Sequence, residues 1–185
     1  MPSVLSIQNL LLAYSNGYFP MPDPETGEIV WLKPDPRAVL PLEKFHRSHS
    51  LKKSLAKPYE VKVNTAFREV MLACSERKET WITDEFLQAY SELRKKGYAD
   101  SIEVWKGGKL VGGVYGVSLG RAFFAESMFH KERDTSKIAL SHLVDRLKSQ
   151  GFKLLEVQFL TPHLKSLGAI EIPAADYEKQ LRTAL

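Results

Sequence analysis

The residues of most chemical interest are two carboxylates, each set in an apolar run. The stretch Arg121-Ala-Phe-Phe-Ala-Glu-Ser-Met-Phe-His130 has aromatic and small residues without helical period, as a largely buried strand does. Glu126 sits in its middle, followed by Ser127. An ionised carboxylate buried without a partner costs several kcal/mol, so Glu126 must meet a cation or line a cleft. A second run, Lys153-Leu-Leu-Glu-Val-Gln-Phe-Leu160, places Glu156 and Gln158 two apart, on one face of a strand. Two inner strands that each carry acceptors for an amine point to a site that can grip and deprotonate it. The alternative is structural: either acid held in an internal ion pair, for Glu126 with Arg121 or Lys137.

The rest of the chain must position these strands. Three strands are expected at about 100–106, 110–118 and 121–129, the first two joined by a tight Gly107-Gly108 turn. A helix follows, capped by Asp134 or Thr135, with Ile138, Leu140, Leu143, Val144 and Leu147 on its apolar stripe. Strand 153–160, a one-turn helix opened by Thr161-Pro162, a strand at 169–172 and a polar helix complete the chain. Upstream, helices are expected at about 65–76 and 84–96, the second stopping at Gly97, and a half-buried strand at 59–64. This order makes an α/β (α+β) domain with a mixed sheet flanked by helices.

Before it, Ser6 caps a helix whose Leu10, Leu11 and Tyr14 form an apolar stripe ending at Asn16-Gly17. Five prolines from Pro20 to Pro36 fix an extended path, and Ala38-Val-Leu40 reads as a short strand. Arg47-Ser-His-Ser-Leu-Lys-Lys53 opens a basic helix with Ser48 or Ser50 as its cap. It is either a solvated face or a phosphate contact. The boundary falls at Lys57-Pro58: a small N-terminal domain over 1–58 and the main domain over 59–185.

The chain of 185 residues is 44% hydrophobic and 26% charged, ordinary for a soluble protein with one sizeable core. One cysteine, Cys74, excludes an internal disulfide framework and fits a reducing cytoplasm as a buried thiol. Neither a basic leader nor a membrane-spanning run is present. The net charge of +4 permits a polyanionic partner. The cysteine and five histidines show no metal-ligand spacing, so no metal is expected.

Several motifs occur in order: Ala13-Tyr-Ser-Asn-Gly-Tyr-Phe-Pro20, Pro34-Asp-Pro-Arg-Ala-Val-Leu40, Thr80-Trp-Ile-Thr83, Ser101-Ile-Glu-Val-Trp105, Leu110-Val-Gly-Gly-Val-Tyr-Gly-Val117, Glu126-Ser-Met-Phe129, Ser136-Lys137 and Ser166-Leu-Gly-Ala-Ile-Glu-Ile-Pro173. Together they resemble the leucyl/phenylalanyl-tRNA–protein transferase family over almost the whole chain. The resemblance implies a GNAT-like catalytic domain behind the small N-terminal one. It also implies transfer of Leu or Phe from aminoacyl-tRNA to an N-terminal Arg or Lys of an acceptor protein, marking it for N-end-rule degradation. The chain departs from the family pattern in four places. A Gly-Gly-Asp-Leu segment is missing at the start, Met21 replaces a Trp used at the tRNA 3′ end, Glu156 replaces an Asp, and His49 replaces a basic residue.

On that footing Glu156, oriented by Gln158, is the expected base, and Glu126, with Ser127 and Thr161, the expected acceptor-binding group. Met128, Phe123 and Val114 are candidates for the apolar aminoacyl pocket, beside Leu147, although such residues are more often plain core. Trp81, Tyr90, Trp31 and Met21 are candidates near the terminal adenosine. Arg47, Lys52 and Lys53 are candidates for tRNA phosphates. No cofactor, a monomer and a cytoplasmic location are expected. A GNAT acetyltransferase is the rival enzyme, but its CoA pyrophosphate loop needs a Gly-rich turn, and His130-Lys-Glu-Arg-Asp-Thr-Ser-Lys137 has no glycine. A non-enzymatic tRNA-binding protein is the other rival.

Overall fold

The computed structural model describes residues 4–77 and 80–185. The first three residues of the expected N-terminal domain therefore lie outside the described residues. The chain opens with α1 (Ile7–Ser15), whose N-cap Ser6 accepts a hydrogen bond from the Asn9 amide and whose Leu10 and Tyr14 are buried on one face. Gly17 then turns the chain at φ +79°, a conformation that favours glycine. A hairpin follows, β1 (Phe19–Pro22) paired antiparallel with β2 (Ile29–Leu32).

Among the described residues the main sheet has seven strands. In chain order they are β3 (Arg37–Val39), β4 (Glu60–Val63), β5 (Ala99–Lys106), β6 (Lys109–Leu119), β7 (Ala122–His130), β8 (Leu154–Gln158) and β9 (Ile170–Ile172). In space the order is β4-β5-β6-β7-β8-β3-β9. Every neighbouring pair is antiparallel except β7 and β8, which the helix α5 (Thr135–Ser149) connects. Parallel neighbours need such a crossover. The expected Gly107-Gly108 turn joins β5 and β6, with φ +54° and +75°, and all five stripe residues of α5 are buried.

The residues assigned to a separate N-terminal domain do not stay apart. β3 lies between β8 and β9 in the main sheet, and α2 (His49–Leu55) packs against α5. Edge backbone groups on β8 and β9 need partners, and a three-residue buried strand supplies them. Of the described strands before residue 59, β1 and β2 stay outside the main sheet as a hairpin of their own.

Two apolar layers cover its faces. One holds α1, α3 (Phe67–Ser75), α4 (Asp84–Lys95) and α7 (Ala174–Ala184) against Tyr115, Val117, Phe124 and Leu154. The other holds α5 against Ile102, Val104, Val114, Phe123, Leu155 and Val157. Alternation along β7 and β8 divides Phe123 from Phe124 and Leu155 from Leu154.

Helix α5 starts hard against β6. A Cβ on Gly112 would lie 2.5 Å from Cβ of Thr135, whose hydroxyl donates to the carbonyls of Val111 and Glu132. Gly112→Ala is therefore expected to cost about 1–3 kcal/mol by overpacking, read from the urea midpoint.

Candidate active site

β7 and β8 run paired through only three residues, the last pair being Phe124 and Glu156. Past that point both strands break pattern. In β7 the pairing to β6 slips, Tyr115 opposing Ser127 but Gly116 opposing Ala125, so Glu126 is the extra residue of a bulge. In β8, Gln158 adopts φ +63°, uncommon for a residue with a side chain. The register of β3 against β8 also shifts, between Ala38 and Val39. Strained or irregular backbone of this kind clusters where side chains must be re-aimed.

The re-aimed side chains form one hydrogen-bonded chain. Tyr14 and Tyr90 join hydroxyl to hydroxyl at 2.5 Å. The Tyr14 hydroxyl donates to Oε1 of Glu126 at 2.6 Å, and Nε2 of Gln158 donates to Oε2 of Glu126 at 3.1 Å. The backbone amide of Gln158 donates to Oε1 of Glu156 at 2.6 Å, and the same oxygen accepts from Nε of Arg37 at 3.1 Å. Because Nε2 of Gln158 faces a carboxylate, its Oε1 is the end of the amide left to accept a hydrogen bond. Glu126 is 6% exposed, Gln158 9% and Glu156 0%.

The two carboxylates thus share the α1/α3/α4 side of the sheet, as the sequence reading required. Their surroundings differ from that reading. Glu156 does not open into a hollow. It is closed in against Arg37, itself 1% exposed, which is the internal ion pair weighed as the structural alternative. Burial pushes its carboxyl above the usual range even though Arg37 and the Gln158 amide oppose the shift. Glu126 meets neither Arg121 nor Lys137, the latter pairing with Asp134 at 3.1 Å. Burial pushes its carboxyl up to about 8, with the Glu156 charge adding to the rise and the Tyr14 and Gln158 hydrogen bonds opposing it.

The other expected site residues divide. Ser127 flanks Glu126, and its hydroxyl accepts from Arg77 at 3.4 Å. Thr161 is exposed, and its hydroxyl caps α6 (Pro162–Ser166) by accepting from the Leu164 amide. Tyr90, expected as an adenosine contact, is fully buried in the polar chain. Trp81 is half-buried, edge-on to Phe86 at 5.1 Å. Met21 and Trp31 are half-buried on the hairpin, and Trp31 lines a shallow hollow with Leu12, Ala13 and Tyr18 outside α1.

Val114, Phe123 and Leu147 pack in the α5 layer, with Met128 half-buried against it, on the opposite face from both carboxylates. Strand alternation puts Val114 and Phe123 there, and Leu147 lies on the buried stripe of α5 itself. Arg47 donates to Ser141 and pairs with Asp145 at 2.7 Å, which neutralises it on α5. Lys52 and Lys53 are exposed on α2. Cys74 is buried, its thiol pushed up to about 12 by burial.

Sequence reasoning missed Tyr14 and Arg37. Tyr14 was read only as part of an apolar stripe. For Arg37 the available signal was a charged residue opening a buried strand, together with the cation that a buried Glu156 demands.

Among the described residues no helix is long and apolar enough to cross a membrane, and no group of three or more His, Cys, Asp or Glu is placed to hold a metal. The start of α5 holds the Asp134 carboxylate. It pairs with Lys137 and accepts from Ser54 at 2.9 Å.

Among solved structures, the chain is similar to a ribosomal-protein-alanine N-acetyltransferase from Brucella melitensis biovar Abortus 2308. That similarity has 13% identity and a TM-score of 0.45, over 60% of this chain and 88% of that one. The sequence relatives are much nearer. A leucyl/phenylalanyl-tRNA--protein transferase of Herpetosiphon aurantiacus is 52% identical over 183 residues, covering 98% of this chain and 95% of that protein. One of Akkermansia muciniphila is 48% identical over 186 residues, covering 98% and 96%. Residues 3–35 match the model of the leucyl/phenylalanyl-tRNA protein transferase N-terminal domain, and residues 39–182 match that of the transferase itself. The junction falls where the chain leaves the hairpin and enters the main sheet at β3. With both models matched in order along nearly its whole length, the chain belongs to the leucyl/phenylalanyl-tRNA protein transferase family.

Proposed function

We propose that this protein transfers Leu or Phe from aminoacyl-tRNA to the N-terminal Arg or Lys of an acceptor protein, marking it for N-end-rule degradation. It does so as a monomer in the cytoplasm. The observation that carries this reading is the buried polar chain at the divergence of β7 and β8, centred on Gln158.

The aminoacyl ester is already a good acyl donor, so the reaction needs a neutral α-amine held against the carbonyl carbon. The amine nitrogen forms the new C–N bond, the bond to the ribose oxygen breaks, and that oxygen takes up a proton. Oε1 of Gln158 accepts a hydrogen bond from the incoming ammonium. Glu156, one residue pair away and joined to the Gln158 backbone, draws the proton that the amine loses. An amide has no useful basicity of its own, so it orients and the carboxylate accepts. Glu126, at the less enclosed end, binds the cationic side chain of the acceptor, and that cation is the counter-charge its buried carboxyl needs in order to ionise and form a charge-assisted pair.

A second reading exchanges the roles and makes Glu126 the base. Its carboxyl, near 8, matches an α-amino group at about 7.7–8.0, which favours proton transfer between them.

The assay is transfer from Leu-tRNA or Phe-tRNA to an Arg-starting peptide, with an Ala-starting peptide and acetyl-CoA as controls. Transfer to the Arg peptide is expected. tRNA binding without transfer would make the protein a non-enzymatic tRNA binder, and acetylation would make it an acetyltransferase.

Lys52 and Lys53 meet tRNA phosphates in this reading. Replacing both with Gln should lower affinity for all tRNAs alike. It should also flatten the slope of log affinity against log salt by roughly 1–2. An unchanged slope removes them from the interface.

A further inference from the structure

We infer that Arg37 is a positioning residue for the transfer reaction, holding Glu156 by one oxygen only while clamping the α1–β1 turn to the strand that carries it. The inference rests on the role given above to Glu156 and concerns a residue to which that role assigned nothing.

The geometry of the guanidinium is the argument. Arginine commonly takes a carboxylate with two parallel N–H donors, one to each oxygen. Here it does not. Nε donates to Oε1 of Glu156 at 3.1 Å, Nη1 donates to the Gly17 carbonyl at 2.7 Å, and Nη2 donates to the Tyr177 hydroxyl at 3.4 Å. Two rings lie against the group, its carbon 4.4 Å from the centroid of Tyr177 and 5.1 Å from that of Phe19. The two ring contacts restrain it, and the Gly17 carbonyl and Tyr177 hydroxyl occupy the donors that would otherwise reach the second carboxylate oxygen.

That second oxygen, Oε2 of Glu156, is fully buried and has no hydrogen-bond partner among the described residues. A buried carboxylate oxygen without a partner is costly, and few native structures keep one without use. Full capture of both oxygens would bind the anion more tightly and set a donor against each oxygen that could take a proton. A single bond keeps the cation beside the carboxylate and Oε2 open.

The clamp reaches beyond β8. Gly17 closes α1, the helix that carries Tyr14 to Glu126. A Cβ at Gly17 would lie 3.1 Å from the Tyr177 ring, so that turn fits closely against α7. One guanidinium therefore fixes, through separate donors, the acid on β8 and the turn behind the helix that orients the other acid. The charged and titratable groups facing Glu156 are Arg37 from β3, Tyr177 from α7 and Glu126 from β7. Tyr14 and Tyr90 reach it only through Glu126.

The test compares Arg37→Met and Arg37→Lys with the wild-type protein. Single-turnover transfer is followed against pH, and the Glu156 carboxyl is titrated by carbon-13 NMR, its resonance identified as the one lost in Glu156→Gln. In Arg37→Met the acid limb of the rate should move to higher pH by about one unit or more, because the carboxylate has lost its cation. The rate at neutral pH should fall about tenfold or more, with the KM for aminoacyl-tRNA within about twofold of wild type. Arg37→Lys keeps the charge and loses the fork, so its NMR titration should return toward wild type while its rate stays depressed.

If Arg37→Met does not fold, Arg37→Lys carries the test alone. Wild-type rate per folded molecule with an unmoved limb and titration would overturn the inference. A moved titration with no transfer in the wild-type protein would instead overturn the transferase reading and leave the electrostatic coupling standing.

Discussion

Glu156→Gln is expected to lower turnover by about 10²–10⁴-fold, the range for loss of a well-positioned general base, while leaving tRNA affinity close to wild type. The measurement is single-turnover transfer at saturating aminoacyl-tRNA, with binding followed separately. Near-normal turnover would remove the base role. A stability effect must be separated from it, because Glu156 is one half of a fully buried ion pair. Removing one partner of such a pair costs about 3–5 kcal/mol, since the remaining charge is left without compensation. The double replacement Arg37→Met with Glu156→Leu separates the two effects. Exchanging a buried pair for apolar groups is commonly neutral or stabilising, so this variant should match or exceed the urea midpoint of wild type and still transfer nothing. A stable but inactive double variant would assign the loss to chemistry rather than unfolding.

Glu126→Gln should act on both stability and specificity. The carboxyl is held up to about 8 by burial, from an ordinary 4.5. Between those values the native protein keeps a proton that the unfolded chain has released. The stabilisation linked to this group is therefore complete below about 4.5 and is lost as pH rises toward 8. The slope is about 1.4 kcal/mol per pH unit where the difference is one full proton. Glu126→Gln has nothing to titrate and can keep the hydrogen bond from Gln158, so its stability should fall less over that interval than that of wild type. Urea midpoints at several pH values check this, and parallel profiles would contradict it.

In transfer assays the variant should lose activity on Arg-starting peptides by far more than on neutral-starting ones. A charge-assisted hydrogen bond is about twice as strong as a neutral one, and only the cationic acceptor makes it. Equal loss on both peptides would move the proton-accepting role from Glu156 to Glu126.

Much of the scaffold was legible from local chemistry. Ser6 and Ser48 cap the helices they were expected to cap, and Gly107-Gly108 makes the expected turn. The buried stripe of α5 follows its 3.6-residue period. The misplacements share one cause. Val114 and Phe123 are pocket candidates in the sequence because an apolar aminoacyl side chain needs apolar lining, but a bulge and strand alternation put them and the carboxylates on opposite faces. Tyr90 reads as an adenosine contact in the sequence because a helix pattern does not tell which face will find a hydroxyl partner. Arg47 looked like a phosphate contact because its partners, Ser141 and Asp145, lie more than 90 positions away. Likewise β3 looked like part of a separate lobe, since its partners β8 and β9 come from the far end of the chain.

By itself the sequence determined the elements, their order, the family, and the pair of acids set in apolar strands. Capping, turn geometry and hydrophobic period act over a few residues and can be read along the chain. Only the tertiary structure decided which acid is enclosed and what meets it. Arg37 is 119 positions from Glu156, and Tyr14 is 112 from Glu126. Burying a charge demands a partner without specifying which one, and the packing of distant strands makes that choice.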